Sequence, residues 1–242
     1  NIGDEPVLPI EAIQPDIADR WILARLNAAI REVTENLEAF ELSLASQKVY
    51  DFIWSEFCDW YIEMAKPRLY GEDETARQCA RSVLLYVLKD TLKLLHPFMP
   101  FVTEEIYGFL PGGLGYIMLS SWPVANPAFD FARDEAAMSD VMELITSIRN
   151  VRAELNVPPA KKTRITIAAA SEKQGVFRAA EEYLKRLAYA ESVAVQTGRE
   201  GVAGDAVSAV SAAGTAYLPL AELLDIEKEL ARLEKEKAGA VA

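Results

Sequence analysis

Apolar residues recur every three or four positions through most of residues 16–155, which is the spacing of amphipathic α-helices. The pattern predicts helices over residues 16–40, from Ser43 or Ser46 to Pro67, over 73–95, after Pro100, and over 134–155. Because short polar links join the first four segments, we expect neighbouring helices to pack antiparallel as a bundle. Residues 1–15 hold three prolines and little periodicity, which is typical of a linker.

The same spacing predicts which side of each helix is buried. The first helix is expected to bury Ile22, Leu26, Ile30, Val33, Leu37 and Phe40. The second is expected to bury Ala45, Val49, Phe52, Ile53, Phe57, Trp60 and Met64. Trp54 is also interpreted as a core residue, whereas Trp60 fits either the core or a surface on which a ligand stacks.

The second half of the chain changes character after Pro159. The sequence predicts strands near residues 165–167, 193–195, 207–210 and 215–218. A capping box of Ser171 and Gln174 predicts one helix between the first two strands, which gives a β-α-β-β-β unit. Finally, a 3-4-3 spacing of apolar residues predicts the start of a coiled coil, on Leu223, Ile226, Leu230 and Leu233.

The predicted fold is mainly α. It comprises a linker over residues 1–15, an antiparallel helical bundle over 16–133, a long helix with a small α/β subdomain over 134–219, and a coiled-coil start over 220–242. No apolar run approaches the roughly 20 residues that cross a bilayer. The chain starts with Asn1 and no secretory leader, so we expect a cytoplasmic piece of a longer protein.

The residue types exclude most catalytic chemistry. His96 is the only histidine, and at the end of a helix it is expected to cap carbonyl groups rather than transfer protons. Cys58 and Cys79 are expected to be reduced thiols, because no Cys-x-x-Cys spacing supports a metal site. Since no glycine-rich phosphate loop is present either, we expect no catalytic residues, no metal and no cofactor in this chain.

Charge argues against nonspecific nucleic-acid binding, since 25 basic and 37 acidic residues give a net charge of −12. Reading a few unstacked bases, however, needs only a local basic patch. Residues 149–164 contain one acidic residue and five basic ones, which are Arg149, Arg152, Lys161, Lys162 and Arg164. This local positive charge in an acidic chain indicates either a patch that contacts phosphates or cations that are stabilised at the negative end of a helix dipole.

Three short runs carry a family resemblance. Residues 96–107 read His-Pro-Phe-Met-Pro-Phe-Val-Thr-Glu-Glu-Ile-Tyr, residues 54–63 read Trp-Ser-Glu-Phe-Cys-Asp-Trp-Tyr-Ile-Glu, and residues 66–70 read Lys-Pro-Arg-Leu-Tyr. In this order they resemble the anticodon-binding domain of class I aminoacyl-tRNA synthetases of the valine, isoleucine and leucine group. The valyl enzymes of bacteria are the most similar.

The resemblance implies what the chain does. The chain would be the tRNA-binding, C-terminal portion of a valine–tRNA ligase, and the parent would use ATP and magnesium to join valine to its tRNA. The His-Ile-Gly-His and Lys-Met-Ser-Lys-Ser motifs of such enzymes are absent, so this portion would be inactive alone, with the catalytic domain upstream. It would be a monomer that grips the anticodon of a valine tRNA.

Candidate contacts to tRNA follow from aromatic and basic side chains. We predict contacts from Trp60, Lys66, Arg68, Arg149, Arg152, Lys161 and Lys162. Two alternatives stay open. One is the equivalent portion of an isoleucyl- or leucyl-tRNA synthetase, and the other is a helical protein-interaction scaffold that binds no RNA.

Overall fold

The computed structural model describes residues 7–111 and 115–223, which form two compact units that divide between Glu135 and Ala136. The predicted mainly α class with a small α/β part is confirmed. The predicted functional domain boundaries stay predictions. All coiled-coil seam positions after Leu223 lie outside the described residues.

The described part of the first unit contains five complete α-helices and a π-helical segment. They are α1 (Ile17–Glu38), α2 (Leu42–Asp51), the π-helical segment (Phe52–Ile62), α3 (Glu63–Leu69), α4 (Glu74–Leu95) and α5 (Pro100–Gly108). Asp16 starts α1 through a capping box, because its carboxylate accepts from the Asp19 amide at 2.9 Å and the Asp19 carboxylate accepts from the Asp16 amide at 3.2 Å. Pro100 occupies the first turn of α5, as expected.

Residues 42–69 form one continuous helical rod, since the junctions of α2, the π-helical segment and α3 all keep helical backbone angles. The prediction that Pro67 ends this helix is wrong by two residues. A proline removes only its own N–H donor, and the Tyr70 amide still reaches the Lys66 carbonyl at 3.1 Å. The predicted start of this helix, with Ser43 or Ser46 as its cap, is also wrong, because Glu41 occupies the N-cap position without a side-chain hydrogen bond.

The first unit has an apolar core that its helices share. The predicted face of α1 is buried at Ile22, Leu26, Ile30 and Val33. A second cluster lies between α4, α5 and the turn after α5, and comprises Leu85, Leu92, Tyr107, Leu110 and Ile117. After α5 the chain makes two short 3₁₀ turns, Ile117–Leu119 and Pro127–Phe129. Phe129 anchors this extended segment with its ring buried edge-on against Tyr86.

Two predicted core residues are exposed. The prediction for Phe40 is wrong, because α1 ends at Glu38 and Phe40 is 88% exposed. The prediction for Trp54 is also wrong, since it is 53% exposed. Hydrogen bonds in a π-helix join residues five apart, so the inward positions drift from α-helical spacing. Phe57, which was predicted to be buried, and Tyr61 occupy these positions, with ring centroids 6.2 Å apart.

The second unit contains most of the long helix α6 (Ala132–Glu154) and a small α/β structure. It contains β1 (Thr163–Ala168), α7 (Ser171–Ala179), α8 (Glu181–Leu187), β2 (Ala190–Gln196), β3 (Val207–Ser211), β4 (Gly214–Leu218) and the short α9 (Leu220–Leu223). The sheet order is β2-β1-β4-β3, with β1 and β2 parallel and the other pairs antiparallel.

The four strands lie where the sequence predicts them, but the crossover between β1 and β2 differs. It contains two helices that break at Ala180, not one. The predicted capping box is wrong, because Ser171 is already helical and Ala170 is the N-cap residue. The Gln174 amide instead donates to the Ala169 carbonyl and the Thr197 hydroxyl, which ties the helix to the ends of β1 and β2.

Candidate functional site

An uncharged groove of about 530 Å³ opens at one side of the first unit. Its lining comes from α2 and the π-helical segment on one side and from the α4–α5 turn on the other. The lining residues are Ser46, Gln47, Tyr50, Ile53, Trp54, Leu95, Phe98 and Met99. Since none of these side chains carries a charge, a ligand would be held by stacking and shape.

Two exposed aromatic rings form the first wall. Tyr50 and Trp54 are four residues apart, so they project from one side of the rod. Their ring centroids are 6.2 Å apart at an interplanar angle of 50°, and they are 60% and 53% exposed. Exposed aromatic pairs of this kind offer apolar faces to a planar ligand.

The α4–α5 turn forms the second wall, and hydrogen bonds fix its shape. The buried Thr103 hydroxyl donates to the Met99 carbonyl at 2.8 Å and lies 2.7 Å from Nδ1 of His96. The Phe98 and Met99 amides both donate to the Leu95 carbonyl, at 3.0 and 3.1 Å. His96 therefore has a structural contact, and Phe98 and Met99 are held in place beside the groove.

The π-helical segment is anchored on α1 by a bidentate ion pair. Arg25 donates to both carboxylate oxygens of Glu56, at 2.8 and 2.7 Å, and to Glu135 at 2.9 Å. Hydrogen bonds that Arg25 donates to Glu56 and Glu135 raise the pKa of Arg25 despite partial burial. This clamp orients the segment, so that Trp54 projects outward.

Arg68 lies in a buried ionic cluster at the other end of the rod. Its Nη1 and Nη2 donate to the carboxylate of Asp19 at 2.6 and 2.7 Å, and Nη1 lies 3.2 Å from Asp16. The Tyr61 hydroxyl donates to the same carboxylate at 2.8 Å. Burial alone would raise the pKa of Asp19, but the hydrogen bonds and charge of Arg68 hold that pKa below its usual value.

Cys79 lies against this cluster, with its sulfur 3.5 Å from the Asp19 carboxylate. Burial, helped by the Asp19 charge, raises the pKa of the Cys79 thiol to about 12. The thiol therefore stays protonated and unreactive at neutral pH. Cys58 is half-buried, and burial likewise raises the pKa of its thiol.

The other two predicted contacts of the first unit lie nearby along the rod. Lys66 forms an ion pair with Glu63 in the same helix, and both side chains are about one-third exposed. Trp60 is half-buried. Neither residue lines the groove, so the aromatic face that we describe is distinct from the predicted one.

The predicted contacts of the second unit fall into two groups. Arg152 is only 2% exposed, and its Nη2 donates to the Lys161 and Pro158 carbonyls at 2.6 and 3.1 Å. Arg149 donates from Nε to the Leu187 carbonyl at 2.7 Å. Both arginines therefore hold the fold, and Arg152 shapes the loop that carries Lys161 and Lys162.

Lys161 and Lys162 differ from these arginines. Lys161 is half-buried and Lys162 is exposed, and within residues 7–111 and 115–223 neither amine has a carboxylate partner. Arg164, the fifth cation of the run, forms an ion pair with Glu222. The local excess of positive charge is thus concentrated on the two lysines.

The described part of the chain has neither a metal-binding cluster nor a membrane-spanning helix. Residues 7–111 and 115–223 contain no group of three or more His, Cys, Asp or Glu side chains arranged to hold a metal ion. Among the same residues, every helix is too short or too polar to span a bilayer.

Comparison with known proteins gives this geometry a context. Residues 19–167 match the family described as the anticodon-binding domain of tRNA ligase. The chain belongs to this family. The match covers almost all of the helical bundle, including every residue of the uncharged groove, and extends into β1.

Within this anticodon-binding family, the chain is similar to valine–tRNA ligases. The chain is 50% identical to a valine–tRNA ligase of Clostridium acetobutylicum over 221 residues, which are 91% of this chain and 25% of that protein. It is 47% identical to that of Carboxydothermus hydrogenoformans, over 93% of this chain and 26% of that protein. The chain spans about a quarter of the length of these relatives. The predicted resemblance to valyl enzymes is confirmed.

The groove itself was missed at the sequence level. Apolar periodicity assigned Trp54 to the core, although Tyr50 and Trp54 at four-residue spacing could have been interpreted as an exposed pair. The contributions of Phe98 and Met99 depend on a tertiary contact between the rod and the α4–α5 turn, which one sequence does not show.

Proposed function

We propose that this chain binds the anticodon loop of a valine tRNA, as the anticodon-recognising portion of a valine–tRNA ligase. The uncharged aromatic groove inside the matched anticodon-binding domain is the observation that carries this proposal. Unpaired bases of an RNA loop can be splayed out and stacked on aromatic side chains. Each such stack contributes roughly 1–3 kcal/mol, so Tyr50 and Trp54 supply a useful part of a specific affinity.

The groove suits bases rather than phosphates. A phosphate would lose its hydration against apolar side chains without gaining a charge partner. A base has the opposite requirement, because its face is apolar and its edges carry donors and acceptors that Ser46 and Gln47 can meet. Backbone phosphates are better matched by cations outside the groove, and we propose Lys66, Lys161 and Lys162 for this role, with Trp60 as a further contact.

The rest of the parent enzyme supplies the chemistry. In the proposed parent, a catalytic part outside this chain uses ATP and magnesium to join valine to the tRNA. The contribution of this chain is positional, because gripping the anticodon end orients the acceptor end. We propose a monomer that acts in the cytoplasm and has no aminoacylation activity as the isolated chain.

A binding assay with different isoacceptors tests the proposal. We expect the chain to bind valine tRNA more tightly than isoleucine or leucine tRNA, and fluorescence anisotropy on labelled anticodon stem-loops measures the difference. Preference for the isoleucine or leucine loop would instead assign the chain to an isoleucyl- or leucyl-tRNA synthetase. Equal weak affinity for all loops would favour a protein-interaction scaffold.

Lys161 and Lys162 should control the salt dependence of tRNA binding. Each lost phosphate contact lowers the slope of log affinity against log salt by roughly 0.7–0.9. The double variant Lys161→Ala/Lys162→Ala is therefore expected to flatten the slope by about 1.5. Lys185→Ala is the matched control, since Lys185 is already paired with Glu181 and Glu182. An unchanged slope in the double variant would remove both lysines from the interface.

A further inference from the structure

Among the described residues, three other than glycine adopt the left-handed backbone conformation, and one of them is unexplained. They are Phe40, Asn156 and Tyr189, with φ angles of 59°, 53° and 56°. Asparagine tolerates this conformation. Tyr189 is half-buried, and the guanidinium of Arg152 lies 5.4 Å from its ring centroid. This packing offsets the free-energy cost of the left-handed conformation at Tyr189. Phe40 is 88% exposed and has no such compensation among the described residues.

Phe40 closes the C-terminal end of α1. The Glu41 amide donates to the Asn36 carbonyl at 2.8 Å, and the Phe40 amide donates to the Leu37 carbonyl at 3.1 Å. This pair of backbone hydrogen bonds defines the Schellman motif, in which glycine is the usual left-handed residue. The end of α6 has the same pattern, with Asn156 in the equivalent position. At the end of α1 a bulky aromatic residue takes that position instead.

An internal packing role does not account for the phenylalanine. A left-handed residue at a helix end can stabilise the turn by apolar contact with the preceding turn. The Phe40 side chain makes little such contact, since most of its surface is exposed. Both the backbone conformation and the exposed ring are unfavourable for the isolated chain.

The position of Phe40 relates it to the uncharged groove. Leu42, Ser46, Tyr50 and Trp54 follow one another at four-residue intervals along the rod, so they form one row. Each interval advances the row by about 6 Å. Leu42, at the start of the row, is 59% exposed, and Phe40 precedes it by two residues. Phe40 therefore lies in the turn that precedes this row, and the row itself contains the exposed Tyr50 and Trp54.

We infer that Phe40 is an RNA-contacting residue that stacks on an unpaired base outside the groove. This inference rests on the proposed function and extends the site beyond its lining residues. The Schellman hydrogen bonds fix the backbone of Phe40, so the ring is presented with little conformational freedom left to lose on binding. An unpaired base with its flat face exposed is the ligand chemistry that such a ring fits.

The variant Phe40→Gly separates a role in binding from a role in folding. Glycine adopts the left-handed conformation without strain, so the urea midpoint should stay the same or rise. The affinity for a stem-loop with a valine anticodon should fall by roughly 5- to 150-fold, the loss of one stacked base. Phe40→Tyr should retain the affinity. Phe109→Ala is the matched control, since Phe109 is an 80% exposed aromatic residue at the end of α5, a different helix.

Each outcome is decisive. Wild-type affinity in Phe40→Gly, together with lost affinity in Trp54→Ala, would overturn this inference and leave the proposed function intact. A fall in both the urea midpoint and the affinity of Phe40→Gly would assign Phe40 to the fold and would also overturn it. If the wild-type chain binds no stem-loop, the proposed function fails and the inference fails with it.

Discussion

Replacing Arg68 with alanine is expected to lower the free energy of unfolding by about 3–5 kcal/mol, the largest single loss that we predict. The variant leaves the Asp19 carboxylate buried without its cation, although Tyr61 and the Asp16 amide still donate to it. Urea unfolding followed by far-ultraviolet circular dichroism measures the loss. Lys66→Ala is the matched control, because the partly exposed pair with Glu63 should contribute below about 1 kcal/mol.

The loss should depend on pH in a defined direction. The pKa of Asp19 is lowered in the folded protein, so the stability that Asp19 contributes is present above its unfolded pKa and is lost as the pH falls through its folded pKa. In Arg68→Ala, burial without a cation instead favours the protonated carboxyl. The difference between wild type and variant should therefore be largest near pH 7 and shrink towards acidic pH. A loss no larger than that of Lys66→Ala would contradict a structural role for Arg68.

Replacing Trp54 with alanine is expected to give the largest loss of RNA affinity. Removal of one stacking ring corresponds to roughly 1–3 kcal/mol, or about 5- to 150-fold in the dissociation constant of an anticodon stem-loop. Stability should change little, since half of the Trp54 side chain is exposed. Anisotropy titration measures the affinity, and urea unfolding of the same sample checks that the fold is intact.

Companion variants sharpen the assignment of Trp54. Trp54→Phe keeps an aromatic face and should retain most of the affinity. Tyr50→Ala should also weaken binding, and because the two rings are 6.2 Å apart, the double variant should not lose the sum of the two single effects. Equal affinity in wild type and Trp54→Ala would exclude Trp54 from the interface.

The bundle could be predicted from the sequence because the signals that start, continue and end each helix lie within a few residues of one another. Helical spacing, the capping aspartates Asp16 and Asp73 and the restart at Pro100 each act within a few residues. The same holds for the strands, whose alternation at residues 165–167 reports one buried face of the sheet. These features give the fold class and most helix ends.

The site was harder to predict because it depends on tertiary contacts. A π-helical segment shifts which side chains face inward, and apolar spacing cannot detect this shift at Trp54. Counting cations likewise cannot tell which are engaged in the fold. Arg68 and Arg152 were predicted as RNA contacts, yet their guanidinium groups lie on Asp19 and on the Lys161 carbonyl. Asp19, the partner of Arg68, is distant in sequence, and Lys161, the partner of Arg152, belongs to an irregular loop. Neither contact can be predicted from residue spacing.

The central claim is that unpaired bases stack in the uncharged groove beside Trp54. Fluorine NMR of the chain labelled with 5-fluorotryptophan tests it directly, because the four tryptophans give separate signals and Trp54→Phe identifies one of them. On titration with a valine anticodon stem-loop, we predict that the Trp54 signal shifts and saturates with binding, while the signal of Trp21, which is 2% exposed, stays in place. A Trp54 signal that does not move at saturating RNA would contradict the claim.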